Sequence, residues 1–399
     1  QIGADIDGEA AGDQSGYSVS LSSDGSIVAI GAPENDGNGS NSGHVRIYEN
    51  QSGTWTQIGA DIDGEAAGDQ SGYSVSLSSD GSIVAIGAPE NDGNGSNSGH
   101  VRIYENQSGT WTQIGTDIDG EAADDESGLS VSLSSDGSVV AIGAYGNDAN
   151  GSFSGQVRIY ENQSGTWTQI GADIDGEAAG DQSGYSVSLN SNGSVVAIGA
   201  RRNDGTGSGA GHVRIYENNS GTWTQRGTDI DGEAANDQSG YSVSLNSNSS
   251  VVAIGAWLND GNGDNSGHVR VYEHPLPPTI TSQPANQTNI CLGSNVSFTI
   301  AGENIDTYQW QVDEGSGFGD ITNGGAYSNA TTATLNITDV SLAMDGYQYR
   351  CVGTNIVGNA TSDPATLSTE TENPVFTSTH SDQQVDADAN CEASLPDYT

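Results

Sequence analysis

QIGADIDGEAAGDQSGYSVSLSSDGSIVAIGAPENDGNGSNSGHVRIYENQSGTWT, residues 1–56, is the unit from which most of this chain is built. The unit begins again at Gln57, Gln113, Gln169 and Gln225, and the last copy ends at His274. The first two copies are identical in every residue. Repeats of about this length are typical of propellers, solenoids and arrays. We therefore expect residues 1–274 to form one repetitive structure.

Each unit contains four strand-like runs separated by turn signals. In the first copy these runs are residues 17–22, 26–31, 43–49 and 54–58. Tyr17, Val19 and Leu21 alternate with serines, as in a strand with one buried face. The dipeptide Asp24-Gly25 predicts a tight hairpin between the first two runs. Four antiparallel strands with glycine-rich turns predict an all-β fold in which each unit is one propeller blade.

The unit also resembles the FG-GAP repeat of integrin-alpha-type propellers. Ser15-Gly16-Tyr17 stands where that family has Phe-Gly, and Gly31-Ala32-Pro33 matches its Gly-Ala-Pro. The proline recurs at Pro89 and is replaced in the later copies by Tyr145, Arg201 and Trp257. The resemblance implies a propeller over residues 1–274. The long calcium loop that the family often carries between its first two strands is reduced here to residues 22–25, which makes a calcium site at that position doubtful.

The number of blades depends on how the fifth copy ends. Pro275 stops that copy before a fourth strand, whereas Gln1-Ile2-Gly3-Ala4 has the sequence of the end of a fourth strand. We expect this N-terminal segment to complete the fifth blade and to close a five-bladed ring. The alternative is a ring of seven, the number in integrin-type propellers, with further blades upstream.

The chain is strongly acidic, with 53 Asp and Glu against nine Arg and no Lys, and a formal net charge of -44. Nucleic acids and anionic membranes need a basic surface, so both are excluded as partners. Such a charge attracts cations, and adaptation to a salty medium is an equally open interpretation. No apolar run is long enough to insert into a membrane.

Two acidic loops per unit, residues 5–13 and 34–42, are expected to lie at the same end of a blade. Asp5, Asp7, Glu9 and Asp13 have a spacing similar to that of an oxygen-lined Ca²⁺ loop, without its glycine and closing glutamate. Solvated turns are the alternative interpretation. The equivalent candidate ligands are Asp61, Asp63, Glu65, Asp69, Asp117, Asp119, Glu121, Asp125, Asp173, Asp175, Glu177, Asp181, Asp229, Asp231, Glu233 and Asp237.

Other chemistry is weakly indicated. One histidine per unit (His44, His100, His212, His268) begins a third strand, and the third copy has Gln156 instead. We interpret these histidines as strand-end residues, because no second nitrogen ligand lies nearby in the sequence. The one arginine that recurs in every third strand is expected to pair with an acidic residue. Catalysis is not expected, because a catalytic residue needs a special environment and the carboxylates recur equally in every unit.

The second-to-third loops of the later copies depart most from the repeat. Exposed aromatic and arginine side chains are common in binding hot spots. We therefore predict contacts with a glycan or an extracellular protein partner through these residues. They are Tyr145, Phe153, Arg201, Arg202, Trp257 and Leu258.

A proline-rich linker, residues 275–278, precedes a segment of different composition. Residues 279–369 resemble an Ig-like sandwich, with Trp310 as its buried tryptophan and residues 345–351 matching the D…YxC motif that ends in Cys351. The resemblance implies a disulfide to Cys351, for which Cys291 is the candidate although it precedes the expected strand; free buried thiols are the alternative. Residues 370–399 are expected to form a linker and resemble the opening of a hyalin-repeat domain, in which Cys391 lacks a partner. Further domains are expected to follow.

This order of modules resembles large secreted or surface-attached bacterial proteins of the Bacteroidetes type. The resemblance implies a non-catalytic extracellular adhesion or binding protein, whose acidic loops bind cations and contact a glycan or protein. Two alternatives are a structural spacer in a larger adhesin and a carbohydrate-targeting arm of a secreted hydrolase.

Overall fold

The computed structural model describes residues 1–273 and 275–370. The chain divides into two compact units, residues 1–274 (unit 1) and 275–399 (unit 2). The elements described are β-strands, apart from the 3₁₀ helix Leu342–Met344. The all-β prediction is therefore confirmed. None of the described helices is long and apolar enough to cross a membrane.

Unit 1 contains one antiparallel sheet from each repeat, numbered sheets 1 to 5 in chain order. Sheet 1 consists of Ser18–Leu21, Ile27–Ala32, His44–Gln51, Thr54–Gln57 and Ile62–Asp63. Sheet 2 consists of Ser74–Leu77, Ile83–Ala88, His100–Gln107, Thr110–Gln113 and Ile118–Asp119. Sheet 3 consists of Ser130–Leu133, Val139–Ala144, Gln156–Asn162, Trp167–Gln169 and Ile174–Asp175.

Sheets 4 and 5 follow the same plan. Sheet 4 consists of Ser183–Leu189, Val195–Ala200, His212–Asn219, Thr222–Gln225 and Ile230–Asp231. Sheet 5 consists of Ser239–Leu245, Val251–Ala256 and His268–Glu273. In sheets 1 to 4 the first four strands pair in sequence order, and the short last strand pairs with the start of the third. The four antiparallel strands that pair in sequence order in sheets 1 to 4 are as predicted and are consistent with a propeller-like repeat.

Neighbouring sheets pack through apolar side chains of equivalent positions. Val45 and Ile47 on the third strand of sheet 1 pack in one cluster with Val75 and Leu77 on the first strand of sheet 2. The backbones also approach closely, because the Ser18 hydroxyl donates to the Gly72 carbonyl at 2.7 Å. Equivalent clusters join the later sheets. Sheets 1 to 4 therefore each bury one face against the next repeat.

The two outermost faces of unit 1 are exposed. Val19 and Leu21 of sheet 1 are 64% and 60% exposed, although the same residues of the identical second repeat, Val75 and Leu77, are 9% and 7% exposed. At the other end, the third-strand residues of sheet 5 that correspond to Val45 and Ile47 are 68% and 65% exposed; they are Val269 and Val271. Sheets 1 and 5 thus leave uncovered the two surfaces that every other pair of neighbours buries.

The expected closure into a five-bladed ring is therefore wrong for the described residues. Gln1-Ile2-Gly3-Ala4 does not join sheet 5, which has three strands in the described part of the chain. Instead, the Ile2 carbonyl accepts a hydrogen bond from Trp55 Nε1 at 2.9 Å, as the Ile58 carbonyl does from Trp111. The N-terminal segment is thus held by the tryptophan of its own repeat.

Unit 2 has two larger sheets around one core and a small two-stranded sheet. The larger sheet pairs Gln287–Ile290, Ala365–Thr369, Gln348–Thr354, Thr307–Asp313 and Phe318–Asp320 in that order, with Asn359–Thr361 on Gln348–Thr354. The second pairs Val296–Thr299, Thr334–Ile337 and Tyr327–Ser328. Thr279–Ser282 pairs with Ala301–Glu303. The buried core includes Phe298, Trp310, Leu335 and Tyr349.

The predicted Cys291–Cys351 disulfide is wrong. Cys351 is a buried free thiol paired in register with Trp310, so it forms no bond to Cys291. Cys291 lies in a turn, where its carbonyl accepts from the Ser294 amide, and the core near Cys351 is filled by Phe298 and Tyr349. The predicted hyalin-like module, with Cys391, lies outside the described residues.

Candidate functional site

The two acidic loops of neighbouring repeats meet at one end of the sheets, as predicted. Asn38, in the second-to-third loop of sheet 1, donates its side-chain amide to the carbonyls of Gly64 and Glu65 at 2.8 and 3.1 Å. The backbone amide of Gly68 donates to the Ser40 carbonyl at 2.9 Å. The same end of unit 1 therefore carries most of the candidate ligands.

The four carboxylates predicted to form a calcium loop have different partners. Asp13 is buried, and its Oδ2 accepts from the Ala10 amide and from Asn35 Nδ2, both at 3.0 Å. Asp5 instead accepts from Gln1 Nε2. The buried positions equivalent to Asp13 are Asp69, Asp125, Asp181 and Asp237. These aspartates hold the loop together through hydrogen bonds to its own backbone and to an asparagine.

A different group of ligands forms between repeats. His44 Nδ1 lies 3.9 Å from Glu9 Oε2 and 3.9 Å from Asp61 Oδ2. The histidine side chain is 2% exposed, whereas Glu9 is 46% and Asp61 29% exposed. We call this group the Glu–His–Asp cluster of sheet 1. It combines two predicted carboxylates, one from each of two repeats, with a histidine that we interpreted as structural.

Strand pairing explains why these three residues meet. His44 begins the third strand and pairs with Asp63 of the short last strand, so Asp61 is brought beside it. Gln57 Nε2 donates to Asp61 Oδ1 at 2.6 Å, which leaves Oδ2 towards the histidine. The other carboxylate is held by Arg46, whose Nη1 lies 3.7 Å from Glu9 Oε1. This pairing bears out the expected arginine–carboxylate contact.

Two further copies of the cluster are formed by Glu65, His100 and Asp117 and by Glu177, His212 and Asp229. Sheet 3 differs, because Gln156 Nε2 donates to Glu121 Oε2 at 3.1 Å. In sheet 5, His268 lies 3.6 Å from Glu233 but has no aspartate of a following repeat within the described chain. The five repeats therefore differ in which residues of the cluster they contain.

Two of the cluster histidines, His100 and His212, are held neutral by burial. Burial lowers the pKa of His212 to about 4, and it also lowers the pKa of His100. Neutral imidazole is the form that binds metal ions. Within the described residues no hydrogen bond reaches His212 Nδ1, although this buried atom lies 3.8 Å from Glu177 and 4.0 Å from Asp229. These distances are too long for hydrogen bonds.

An aromatic patch lies across the later repeats. Tyr185 packs between Tyr145 and Tyr241, edge-on to the first and tilted to the second, at ring-centroid distances of 5.8 and 5.2 Å. Phe153 lies 6.4 Å from Tyr145, and Trp257 lies 5.1 Å from Tyr241. Arg201 adds its guanidinium over the Tyr185 ring at 3.7 Å. We call these six residues the aromatic patch.

The patch side chains are anchored by equivalent polar residues. The Tyr145 hydroxyl donates to Glu126, Arg201 Nε donates to Gln182, and Trp257 Nε1 donates to Gln238, at 2.8–2.9 Å. Burial raises the pKa of Tyr145 to about 12. The anchors fix the orientation of the rings, while Phe153 and Trp257 remain 41% and 50% exposed.

Four of the six predicted contact residues belong to this patch. Arg202 and Leu258 are connected instead through their backbone amides, which donate to the backbone carbonyls of Asp181 and Asp237. The first-strand tyrosines Tyr185 and Tyr241 were not predicted. The signal for them was present, because the aromatic position Tyr17 recurs in every repeat except the third, which has Leu129.

The repeats match a known family model. The model described as FG-GAP repeat matches residues 6–48, 61–104 and 224–272. Endoglucanase C of Cellulomonas fimi is 30% identical to this chain over 139 residues. The match covers 34% of this chain and 11% of that protein, so the chain spans about a tenth of the length of this curated relative.

Among solved structures, titin domain M4 is 25% identical, with a TM-score of 0.20, and covers 24% of this chain and 96% of that one. Titin domain M3 is 22% identical, with a TM-score of 0.20, and covers 24% and 98%. Taken with the geometry of unit 1, the family match shows that this chain carries FG-GAP repeats, each built around an antiparallel sheet of the propeller-like type.

Proposed function

We propose that this chain is a non-catalytic extracellular binding protein. Its acidic loops hold divalent cations, and its aromatic patch contacts a glycan. FG-GAP repeats are typical of extracellular proteins, which supports the location. The observation that carries the proposal is the aromatic patch, because four of its six residues depart from an otherwise uniform repeat.

The chemistry of the patch suits a sugar. Trp and Tyr rings offer a flat apolar face together with a polar edge. A pyranose ring has the complementary surface, with C–H groups on its faces and hydroxyls at its rim. Arg201 and Glu126 lie beside the rings and can donate to or accept from such hydroxyls. Aromatic and arginine side chains also dominate binding hot spots in general.

The test is a glycan array followed by titration of the best ligand. Trp257→Ala is expected to weaken binding at least tenfold, because about half of this ring is available for contact. Leu292→Ala is the control, since Leu292 is 49% exposed, similar to Trp257, but belongs to unit 2. Equal affinity of both variants, or no glycan bound, would refute the proposal and favour the structural spacer.

A second candidate function is a carbohydrate-targeting arm of a secreted hydrolase. The identity with part of an endoglucanase favours it. The same propeller-like repeats and Ig-like sandwich would then place a catalytic domain on its polysaccharide. Affinity for cellulose that is lost in Trp257→Ala would support this role over general adhesion.

A further inference from the structure

We propose that the Glu–His–Asp clusters bind a borderline transition-metal ion of the Zn²⁺ type rather than Ca²⁺. The inference rests on the proposed cation-binding loops and names their ion. Three sites are expected: those of sheets 1, 2 and 4. Their ligands are Glu9, His44, Asp61; Glu65, His100, Asp117; and Glu177, His212, Asp229.

The donor set carries the choice of ion. Calcium takes oxygen ligands, usually six to eight of them. Imidazole nitrogen together with carboxylate oxygen suits Zn²⁺ and its neighbours, which accept four ligands. Each cluster supplies one nitrogen and two carboxylates. The exposed sides of Glu177 and Asp229 leave room for water or a partner's atom as the fourth ligand.

The empty hydrogen-bonding position of the histidine in the sheet 4 cluster is the second observation. His212 is 1% exposed, and its Nδ1 has no hydrogen bond from the described residues. A buried polar atom without a partner is costly, so such atoms usually have one. Two ligands of a tetrahedral zinc ion lie roughly 3.4 Å apart at ordinary bond lengths. The observed 3.8 and 4.0 Å need only a small shift of the two partly exposed carboxylates.

Each carboxylate is also oriented for the site. Gln225 Nε2 donates to Asp229 Oδ1 at 2.6 Å, and Arg214 Nη1 lies 3.6 Å from Glu177 Oε1. The other oxygen of each group is the one nearest His212 Nδ1. Residues that hold one ligand oxygen so that the second faces the metal are a common feature of built metal sites.

The repeat offers a gain-of-site experiment. In sheet 3, Glu121 is present and Gln169 holds Asp173 at 2.6 Å, but Gln156 replaces the histidine. The chelator-stripped protein, titrated with zinc chloride in a calorimeter, is expected to bind three ions. His212→Gln should bind two and Gln156→His four. His268→Gln is the control and should still bind three, because sheet 5 has no second carboxylate in the described cluster.

The outcomes separate this inference from the proposed function. Unchanged stoichiometry in both His212→Gln and Gln156→His, with native circular dichroism spectra, overturns the assignment. If CaCl₂ binds with an affinity that these variants do not alter and Zn²⁺ does not bind, the cation-binding loops stand and the zinc-type site falls. If neither ion binds, both fall, while glycan binding by the aromatic patch is decided separately.

Discussion

Leu21 and Leu77 occupy the same position in two repeats of identical sequence, but Leu21 is 60% and Leu77 7% exposed. Mutation of each to alanine therefore measures the contact between sheets with local sequence held constant. Leu77→Ala removes a nearly buried side chain and leaves a cavity, which typically costs about 3 kcal/mol. Leu21→Ala loses less than half of a full burial and leaves no enclosed cavity, so about 1 kcal/mol is expected.

The assay is urea denaturation followed by tryptophan fluorescence, because Trp111 packs against the cluster that contains Leu77. Leu77→Ala should lower the free energy of unfolding by about 2 kcal/mol more than Leu21→Ala, with an unchanged dependence on urea concentration. Equal losses for the two variants would refute the open arrangement, since Leu21 would then be covered in solution by another sheet.

Three further predictions concern single residues. Gly199→Ala is expected to lower the free energy of unfolding, measured by urea denaturation, by at least about 2 kcal/mol, because the new Cβ would collide with the Gly240 carbonyl of the next sheet. The control Gly255→Ala meets only a serine side chain and should cost less, so equal losses would contradict the packing between sheets. Cys351 should resist alkylation by iodoacetamide at pH 8 until denaturant is added, because burial raises the pKa of its thiol to about 11. Detection of alkylated Cys351 in the native protein by peptide mass mapping would disprove this. With chelator present, the free energy of unfolding should fall by up to about 3 kcal/mol as the pH is lowered from 6.5 to 4, because His212 takes up a proton in the unfolded chain but not in the folded chain. His212→Gln should reduce this pH dependence, and an unaltered pH profile would exclude His212 as its source.

The strands could be predicted from the sequence because their signals are local. The alternation at Tyr17, Val19 and Leu21 and the Asp24-Gly25 turn act within a few residues. The structure shows Asp24 Oδ1 accepting from the Ser26 amide at 2.9 Å, which fixes this hairpin. Predicted and observed strand ends in the first repeat agree to within two residues.

The contacts between repeats could not be predicted from one repeat alone. His44 meets Asp61 because the chain re-enters the same sheet after its fourth strand, through the pair His44–Asp63. The calcium-like spacing of Asp5, Asp7, Glu9 and Asp13 assumed one loop around one ion, whereas the loop divides its carboxylates between different partners. The prediction of ring closure was wrong for a related reason, since two repeats of identical sequence do not indicate which of them has a neighbour on each side.

The uncovered faces of sheets 1 and 5 also restrict how copies of this chain could associate. The two faces are unlike, because one presents first-strand residues and the other third-strand residues. A two-fold symmetric pair would place like against like, and only a head-to-tail contact would reproduce the packing found between repeats. Such contacts extend into a filament unless the rotation between copies closes a ring. The net charge of -44 opposes both outcomes by repulsion between copies. Salt weakens that repulsion. The solubility of this chain should therefore fall as ionic strength rises, whereas an assembly held together by ion pairs would dissolve more readily.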